Sequence, residues 1–426
     1  MIEVINIIFF VFSAVFLLSY GKKNIFFNIA LNEKKICYEY QALNLLIVLN
    51  IIWFSSIFDL NKNIIFLAIL TILFFNFVKN ISINKKGISN IDNYLITLFL
   101  IIFLLSIVIA HDLFFSHDVR LYWFEKTILF YNDLFITEDQ TIKPEYPHFG
   151  TYLWSFFWKF SFLELEYFGR IFYLVIYVFS IFYILGKINF SKVYVKYFLL
   201  IFIILLTFKI KWFDGRQDIL VFSFNNFIFG FLYELISNKS KKLIHAFGII
   251  LSMNLLLWTK TDSMLYIITY SLIILIYLKN NEKLKLIIGI ITIILIKIIF
   301  YKVYEVSLNP NLDTFGINIL EHIQNLDMIY RIFQIGIWYV IGIIRNPILL
   351  ISIVIMVLCI KEIKFKEYSY FMLAYAVISL GIFSVYLITQ YDFPFAMIGT
   401  VGRVFLQFSM IFLIPILKFC EKKKLV

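Results

Sequence analysis

Apolar runs of nearly twenty residues recur along the whole of this chain. Each is about as long as an α-helix must be to cross the hydrocarbon core of a bilayer. Of the 426 residues, 62% are hydrophobic and only 15% are charged, and a soluble protein of this composition could not cover its surface with polar groups. We therefore predict an all-α integral membrane protein with about thirteen transmembrane helices. The predicted spans are 2–20, 43–58, 64–79, 93–110, 166–186, 196–211, 218–236, 244–258, 264–278, 285–301, 346–360, 369–389 and 404–419.

Lysines are concentrated in short tracts between the apolar runs, which accounts for the formal net charge of +11 without a nucleic-acid partner. Basic residues accumulate in the cytoplasmic loops of membrane proteins. Every lysine-rich tract falls on one side if the N-terminus is outside and if 148–163 and 328–344 lie along the interface. We therefore predict a multi-pass protein of the inner (cytoplasmic) membrane, with its N-terminus outside and its C-terminus in the cytoplasm.

The longest predicted outer loop, residues 111–165, contains an unusual concentration of polar and aromatic groups. These are His111, Asp112, Ser116, His117, Asp118, Arg120, Trp123, Lys126, Glu145, Tyr146 and His148. Within 148–163, Tyr152, Trp154, Trp158 and Lys159 are of the types expected at a headgroup boundary, so we expect interfacial helices in this loop. A chain this apolar gains little structurally from a cluster of polar groups. We therefore expect residues of this cluster to take part in a chemical reaction.

Three further outer segments carry charges directly beside a predicted span. They are the segment with Asp214, Arg216 and Asp218, the break with Lys260, Thr261 and Asp262, and the segment with Asp392, Pro394 and Arg403. All of them lie on the predicted outer face together with the loop 111–165. We therefore expect the four groups to line one cavity.

These residue types suit the transfer of a group from a lipid-phosphate donor. A carboxylate at the boundary between water and lipid can act as a general base toward an acceptor hydroxyl, and aromatic neighbours would partly exclude water from it. Lysine and arginine side chains can neutralise a phosphate leaving group, and arginine can bind two of its oxygens at once. Trp123 and Tyr146 offer ring faces on which a sugar can stack.

The order of these motifs resembles that of multi-spanning GT-C-type glycosyltransferases. Asp118-x4-Trp123-x2-Lys126 stands just outside an early span, and Tyr146-Pro147 opens an interfacial segment. Three later steps resemble the family in the same order: Gly215-x2-Asp218-Ile219, Lys260-Thr261-Asp262, and Thr400-x2-Arg403-Val404-Phe405-x-Gln407. The resemblance covers roughly residues 93–415. The chain departs from the family pattern at His148, which replaces a second proline, and at Ile219-Leu220, which replaces Leu-Pro.

The resemblance implies an inverting glycosyltransferase that uses a polyprenyl-phosphate sugar as its donor on the outer (periplasmic) face. Asp118 would be the catalytic residue. The implied donor-binding residues are Trp123, Lys126, Tyr146, His148, Arg216, Asp218, Lys260, Asp262 and Arg403. The acceptor would be a surface glycan, glycolipid or protein. Residues 1–426 would form one membrane domain, with 1–92 as an N-terminal three-helix extension and 93–426 as the GT-C-like catalytic region.

Each of these residues also has a purely structural interpretation. Asp118 can be a solvated loop residue, and Trp123 and Tyr146 can be interface anchors. Lys260 and Asp262 can form a structural pair, and Arg403 can extend toward the headgroups, as we expect for Lys297, Glu234 and His245.

Asn225 and Asn226 lie within an apolar run and are expected to form hydrogen bonds between helices. The spacing of His111, His117 and His148 matches no helical metal-ligand motif, so no metal site is predicted, although a divalent ion is chemically compatible with the reaction.

Two other functions remain open at this level. A glycan polymerase or ligase that acts on lipid-linked repeats would also need charged outer loops. A flippase or secondary transporter would place ionisable groups near the middle of the membrane and would show repeated halves. The charges of this chain gather at one face and no internal repeat is visible, which favours a transferase.

Overall fold

The computed structural model describes residues 2–19, 38–83, 93–112, 114–135, 146–190, 192–237, 242–306, 328–359, 365–388 and 393–423. Of these described residues, 84% are helical and none lies in a strand. The helices are α1 (Ile2–Ser19), α2 (Tyr38–Ile57), α3 (Lys62–Ile83), α4 (Asn93–His111), α5 (Glu125–Tyr131), α6 (Phe149–Lys159), α7 (Tyr167–Leu185), α8 (Val193–Thr207), α9 (Asp218–Ser237), α10 (Lys242–Thr259), α11 (Ser263–Tyr277), α12 (Asn280–Val303), α13 (Met328–Ile344), α14 (Pro347–Leu358), α15 (Phe365–Ile388), α16 (Phe393–Gln407) and α17 (Leu413–Lys422). A π-helical turn, Val119–Phe124, leads into α5, and a 3₁₀ turn, Ile210–Trp212, precedes α9.

The length and composition of its apolar helices indicate a membrane protein, as the sequence composition predicted. Among the described residues, five helices are long and apolar enough to cross a bilayer: Tyr38–Ile57, Tyr167–Leu185, Asp218–Ser237, Asn281–Val303 and Tyr368–Leu387. Six shorter apolar helices accompany them: Ile2–Leu18, Lys62–Val78, Leu95–His111, Tyr194–Thr207, Leu243–Thr259 and Ser263–Tyr277. The number of thirteen spans and their orientation stay predictions.

The last predicted span, 404–419, is wrong as one continuous helix. Helix α16 ends at Gln407, and α17 begins at Leu413. In the connection between them, the N–H groups of Ser409, Ile411 and Leu413 each donate a hydrogen bond to the carbonyl three residues earlier. Pro415 explains the interruption, because its ring lacks an N–H and cannot occupy a helix interior, whereas the first turn of a new helix tolerates it.

The two stretches that we expected along the interface behave differently. Helix α6 has 11 residues and is therefore about 16 Å long, too short to cross a bilayer. Helix α13 is followed by α14 after a bend of 97°, and the pair together is long and apolar enough to form a broken span or a re-entrant loop. The interfacial prediction for 148–163 thus agrees with the length of α6, whereas 328–344 forms one arm of a bent pair.

Helix α7 lies at the centre of the bundle, and all of its residues are buried. Helix α9 packs beside it and contributes two buried amides. Asn225 donates from Nδ2 to the Gln407 carbonyl at 2.9 Å, and Asn226 donates to Ser180 Oγ at 3.2 Å. The prediction of hydrogen bonds between helices at these two asparagines is confirmed, and they fix α9 against α7 and α16.

Candidate functional site

Asp218 lies at the centre of a group of charged side chains at one end of the bundle. It is the first residue of α9 and is 1% exposed. Its Oδ1 accepts hydrogen bonds from Lys260 Nζ at 3.0 Å and Gln407 Nε2 at 2.6 Å, and its Oδ2 lies 3.9 Å from Arg403 Nη1. The positive end of the helix dipole and these donors compensate the buried charge.

Two exposed carboxylates complete this charged cluster, which we define as Asp118, Asp218, Lys260, Asp262 and Arg403. Arg403 Nη1 donates to Asp118 Oδ2 at 3.1 Å, and Lys260 Nζ lies 2.8 Å from Asp262 Oδ2. The side chains of Asp118 and Asp262 are 47% and 53% exposed. The π-helical turn, the α10–α11 connection and α16 thus bring together residues that are far apart in the sequence.

The two cations of the charged cluster keep their charge. Burial lowers the pKa of Lys260, but the negative charges of Asp218 and Asp262 outweigh this effect and hold that pKa above its usual value. Arg403 is charged at any physiological pH. Its Nε is buried and has no hydrogen-bond partner among the described residues. A buried N–H without a partner costs free energy, so a shift of the Arg403 side chain that brought an acceptor atom to Nε would gain a hydrogen bond without breaking another.

Asp118 is partly accessible to water. Its side chain is 47% exposed, so water is excluded from about half of it, and the role of aromatic neighbours in this exclusion stays a prediction. The pairing with Arg403 nevertheless fixes its position at the rim of the charged cluster.

The segment before Asp118 is held by the loop that precedes α9. The Ser116 N–H donates to Asp214 Oδ2 at 3.3 Å, and Arg216 Nε donates to Ser116 Oγ at 3.0 Å. Burial raises the pKa of the Asp214 carboxyl above its usual value, and Arg216, whose Nε lies 3.4 Å from Asp214, partly offsets this effect. Arg216, predicted to bind the donor, therefore has a structural partner two residues before Asp118.

Gly215 allows this loop to approach its neighbours. Its φ of +104° lies in the region that favours glycine, and a Cβ there would collide with the Trp154 ring of α6. The glycine of the predicted Gly215-x2-Asp218 step is thus required by backbone geometry.

Four other predicted donor-binding residues form a second group, Trp123, Lys126, Tyr146 and His148. Lys126 is 1% exposed, and its Nζ donates to the Tyr146 carbonyl at 3.1 Å. The rings of Trp123 and Tyr146 have centroids 6.1 Å apart at an angle of 37°. Both rings are partly exposed and retain accessible surface, whereas Lys126 is enclosed.

His148 is enclosed by aromatic rings and is 1% exposed. Its Nε2 lies 3.2 Å from Ser56 Oγ of α2, and its ring contacts those of Trp258, Phe300 and Phe130. A donor could reach this imidazole only after the surrounding rings moved. His148 therefore connects the start of α6 to α2, as Tyr152 does through Ser55 at 3.0 Å.

His148 should make the protein less stable in acid. Burial, together with the charges of Lys126 and Lys297, lowers the pKa of its imidazole from 6.5 to about 3. Between these values the unfolded chain gains a proton that the folded protein does not bind. Stability is therefore highest above pH 6.5 and falls by up to about 1.4 kcal/mol per pH unit as the pH decreases toward 3.

Unfolding curves between pH 7.5 and 5 for the wild type, His148→Asn and His117→Asn measure this effect. We expect a shallower pH dependence for His148→Asn alone, because His117 is exposed. Equal slopes for His148→Asn and the wild type would contradict the assignment.

A separate polar group lies at the other end of α9. Lys187 Nζ is 3.2 Å from Glu39 Oε1 and 3.4 Å from Glu234 Oε1, and His245 lies beside them. The expectation that Glu234 and His245 extend toward the headgroups is wrong, since they are 7% and 2% exposed. Glu39, Glu234 and His245 could geometrically surround a metal ion, but the Lys187 ammonium already supplies a positive charge to both carboxylates.

Sequence reasoning assigned no role to Gln407 and Tyr266. Tyr266 donates from its hydroxyl to Gln407 Oε1 at 2.8 Å, which turns Gln407 Nε2 toward Asp218. Gln407 follows Arg403 by four residues, and this spacing places the two on one face of a helix. No comparable signal pointed to Tyr266.

Asp392, also expected beside the last span, lies outside the described residues, as do Pro144 and Glu145. The placement of Pro394 is described for its backbone alone.

No family model, curated protein or solved structure matches this chain. The GT-C resemblance therefore stays a prediction from the residues quoted above.

Proposed function

We propose that this protein is a membrane glycosyltransferase that moves a sugar from a polyprenyl-phosphate donor to a surface glycan, glycolipid or protein. The observation that carries the proposal is the charged cluster. It combines an accessible carboxylate, two permanent cations and a buried arginine N–H that has no partner among the described residues. These are the groups that acid–base chemistry beside a phosphate requires.

Arg403 and Lys260 bind the phosphate of the donor. Both contact the buried Asp218, which holds them in place, and each also contacts an exposed carboxylate. Exposed ion pairs contribute about 1 kcal/mol or less, so a phosphate can replace Asp118 or Asp262 as their partner at little cost. The Arg403 side chain is 19% exposed, and if it shifted on binding, its unpartnered Nε would give the guanidinium a further donor for a phosphate oxygen.

Asp118 acts as the general base. Its carboxylate accepts the proton of an acceptor hydroxyl while that oxygen forms a bond to the anomeric carbon of the sugar. The bond from that carbon to the phosphate oxygen breaks, and the phosphate leaves with the bonding pair, stabilised by Arg403 and Lys260. A single displacement without a covalent enzyme intermediate inverts the anomeric centre.

Trp123 and Tyr146 support binding of a sugar. Their partly exposed rings lie in the same outer segment as Asp118 and pack at an inclined angle. Aromatic faces of this kind offer apolar surface to the C–H groups of a sugar ring, while their polar edges stay hydrated.

Mass spectrometry of surface glycans from a deletion strain, with and without a wild-type copy, tests the proposal. We expect one defined sugar to disappear in the deletion strain and to return with the wild-type copy. Loss of chain length with each repeat intact would indicate a polymerase or ligase instead. An unchanged glycan profile would contradict the proposal and would favour transport.

Replacing Arg403 by lysine should separate charge from geometry. Lysine keeps the positive charge but loses the planar guanidinium, whose Nη1 lies 3.1 Å from Asp118 and 3.9 Å from Asp218 and whose other nitrogens supply further donors. We expect sugar transfer to fall by about tenfold to a hundredfold, while the protein stays folded. Arg120→Lys, at an exposed position in the same outer segment as Asp118, is the matched control. Full activity of Arg403→Lys would remove the phosphate-binding role.

A further inference from the structure

A long apolar groove runs between α1 and α3, with α2, α6 and α7 as its floor. Its volume is about 550 Å³. It lies apart from the charged cluster, because Trp154 of α6 faces Phe115 whereas Phe156 and Phe157 of the same helix line the groove. The proposed transferase site does not use this space.

The dimensions of the groove match one hydrocarbon chain. On α1 it extends from Ile5 to Leu18, about 20 Å along the helix axis. This is about two thirds of the roughly 30 Å hydrocarbon core of a bilayer. The volume equals that of roughly 18 water molecules, but the lining is almost wholly apolar, so water would lack partners there. Phe9 on the rim is 72% exposed, so the groove opens toward the lipid.

Asn6 supplies a specific polar contact near the α1 N-terminal end of the groove. Its side chain is 9% exposed, and its Nδ2 has no hydrogen-bond partner among the described residues. Ser161, which lines the groove too, is satisfied, because it donates to the Trp158 carbonyl and accepts from the Leu165 N–H. A buried amide N–H without an acceptor is costly, so Asn6 points to a ligand with an acceptor oxygen at the top of an apolar chain.

We infer that the groove binds one acyl chain of a bilayer glycerophospholipid, whose ester carbonyl accepts a hydrogen bond from Asn6. The ester of such a lipid joins the hydrocarbon chain directly and lies at the boundary of the hydrocarbon core. We place this boundary at the N-terminal end of α1, near Asn6. A polyprenyl chain has no carbonyl next to its hydrocarbon and is longer than the groove. The lipid would connect α1 and α3 to the α6–α7 pair.

Native mass spectrometry of the full-length protein, released from detergent micelles, tests this inference. We expect the wild type to retain a single phospholipid per protein. Ala14→Phe places a ring in the groove and should reduce retention by about tenfold or more. Asn6→Leu, which keeps the size of the side chain but removes the donor, should weaken retention by about fivefold. Val108→Phe, at a position of α4 that is 42% exposed, introduces the same ring outside the groove and should retain the lipid.

The chemistry of the ligand is tested by exchange of the delipidated protein with two probes, an ester-linked phosphatidylglycerol and its ether-linked analogue. We expect about fivefold weaker retention of the ether lipid by the wild type and no difference between the two lipids in Asn6→Leu. Equal retention by Ala14→Phe and the wild type would overturn the inference, as would equal retention of the ester and ether lipids by the wild type. Neither result depends on sugar transfer, so failure here leaves the proposed function untouched.

Discussion

Asp118→Asn should reduce sugar transfer by about a hundredfold to ten-thousandfold, the range typical of a general base. The amide keeps the size of the side chain and can still accept a hydrogen bond from Arg403, but it cannot take the proton of the acceptor hydroxyl. Because Asp118 is 47% exposed, its loss should barely change the stability of the protein. The measurement is the glycan mass spectrum of a deletion strain complemented with this variant, at protein levels matched by blot.

Glu125→Gln is the matched control for Asp118→Asn. Glu125 is an exposed carboxylate seven residues after Asp118, at the first residue of α5, and its amide variant should restore the glycan fully. If Asp118→Asn also restores the full amount of the sugar, Asp118 is not the base. The transferase proposal would then need another carboxylate as the base. Asp262, the other exposed carboxylate of the charged cluster, would be the candidate.

Asp218→Ala should have the largest effect on stability, a loss of about 3 kcal/mol. The substitution removes the shared partner of Lys260 and Arg403 and leaves two partly buried cations close to each other. It also leaves Gln407 Nε2, which donates to Asp218 at 2.6 Å, without its acceptor. Denaturant unfolding of the purified protein in mixed micelles measures the change.

Two other variants make this result specific. Asp218→Asn keeps the acceptor oxygen and the shape but not the charge, and we expect an intermediate loss. Asp262→Ala removes a carboxylate that also pairs with Lys260 but is 53% exposed, so it should cost about 1 kcal/mol or less. If Asp262→Ala destabilises the protein as strongly as Asp218→Ala, the buried position of Asp218 does not stabilise the cluster.

Most helices were predictable from the sequence because an apolar run of membrane length has few alternatives to an α-helix. Such runs at 2–20 and 218–236 correspond to α1 and α9 within a few residues. The break between α16 and α17 was not predicted, although Pro415 was visible. A hydropathy average depends on side chains and does not register the backbone N–H that Pro415 lacks. The bend between α13 and α14 was also not predicted, because it depends on packing between helices, which a hydropathy average over a stretch of sequence does not contain.

The site was partly predictable for a different reason. Asp118, Asp218, Lys260 and Arg403 each stand where an apolar run meets a polar segment. Helices that cross the same bilayer must bring such junctions to one of two faces, so the four could be assigned to one face without knowledge of the packing.

Only the tertiary structure decided which of these junctions touch. Lys126, Arg216 and His148 occur in the same polar segments, yet they contact Tyr146, Ser116 and Ser56, respectively. Side-chain partners depend on the rotation and lateral order of the helices, which loop charge does not determine. Hydropathy along this chain thus determined most of its helices, and the membrane face of its polar groups stays a prediction from loop charge. The pairing of Asp118 with Arg403, the burial of Asp218 and the support from Gln407 and Tyr266 came from packing, because hydrogen bonds act over about 3 Å and depend on which helices are neighbours.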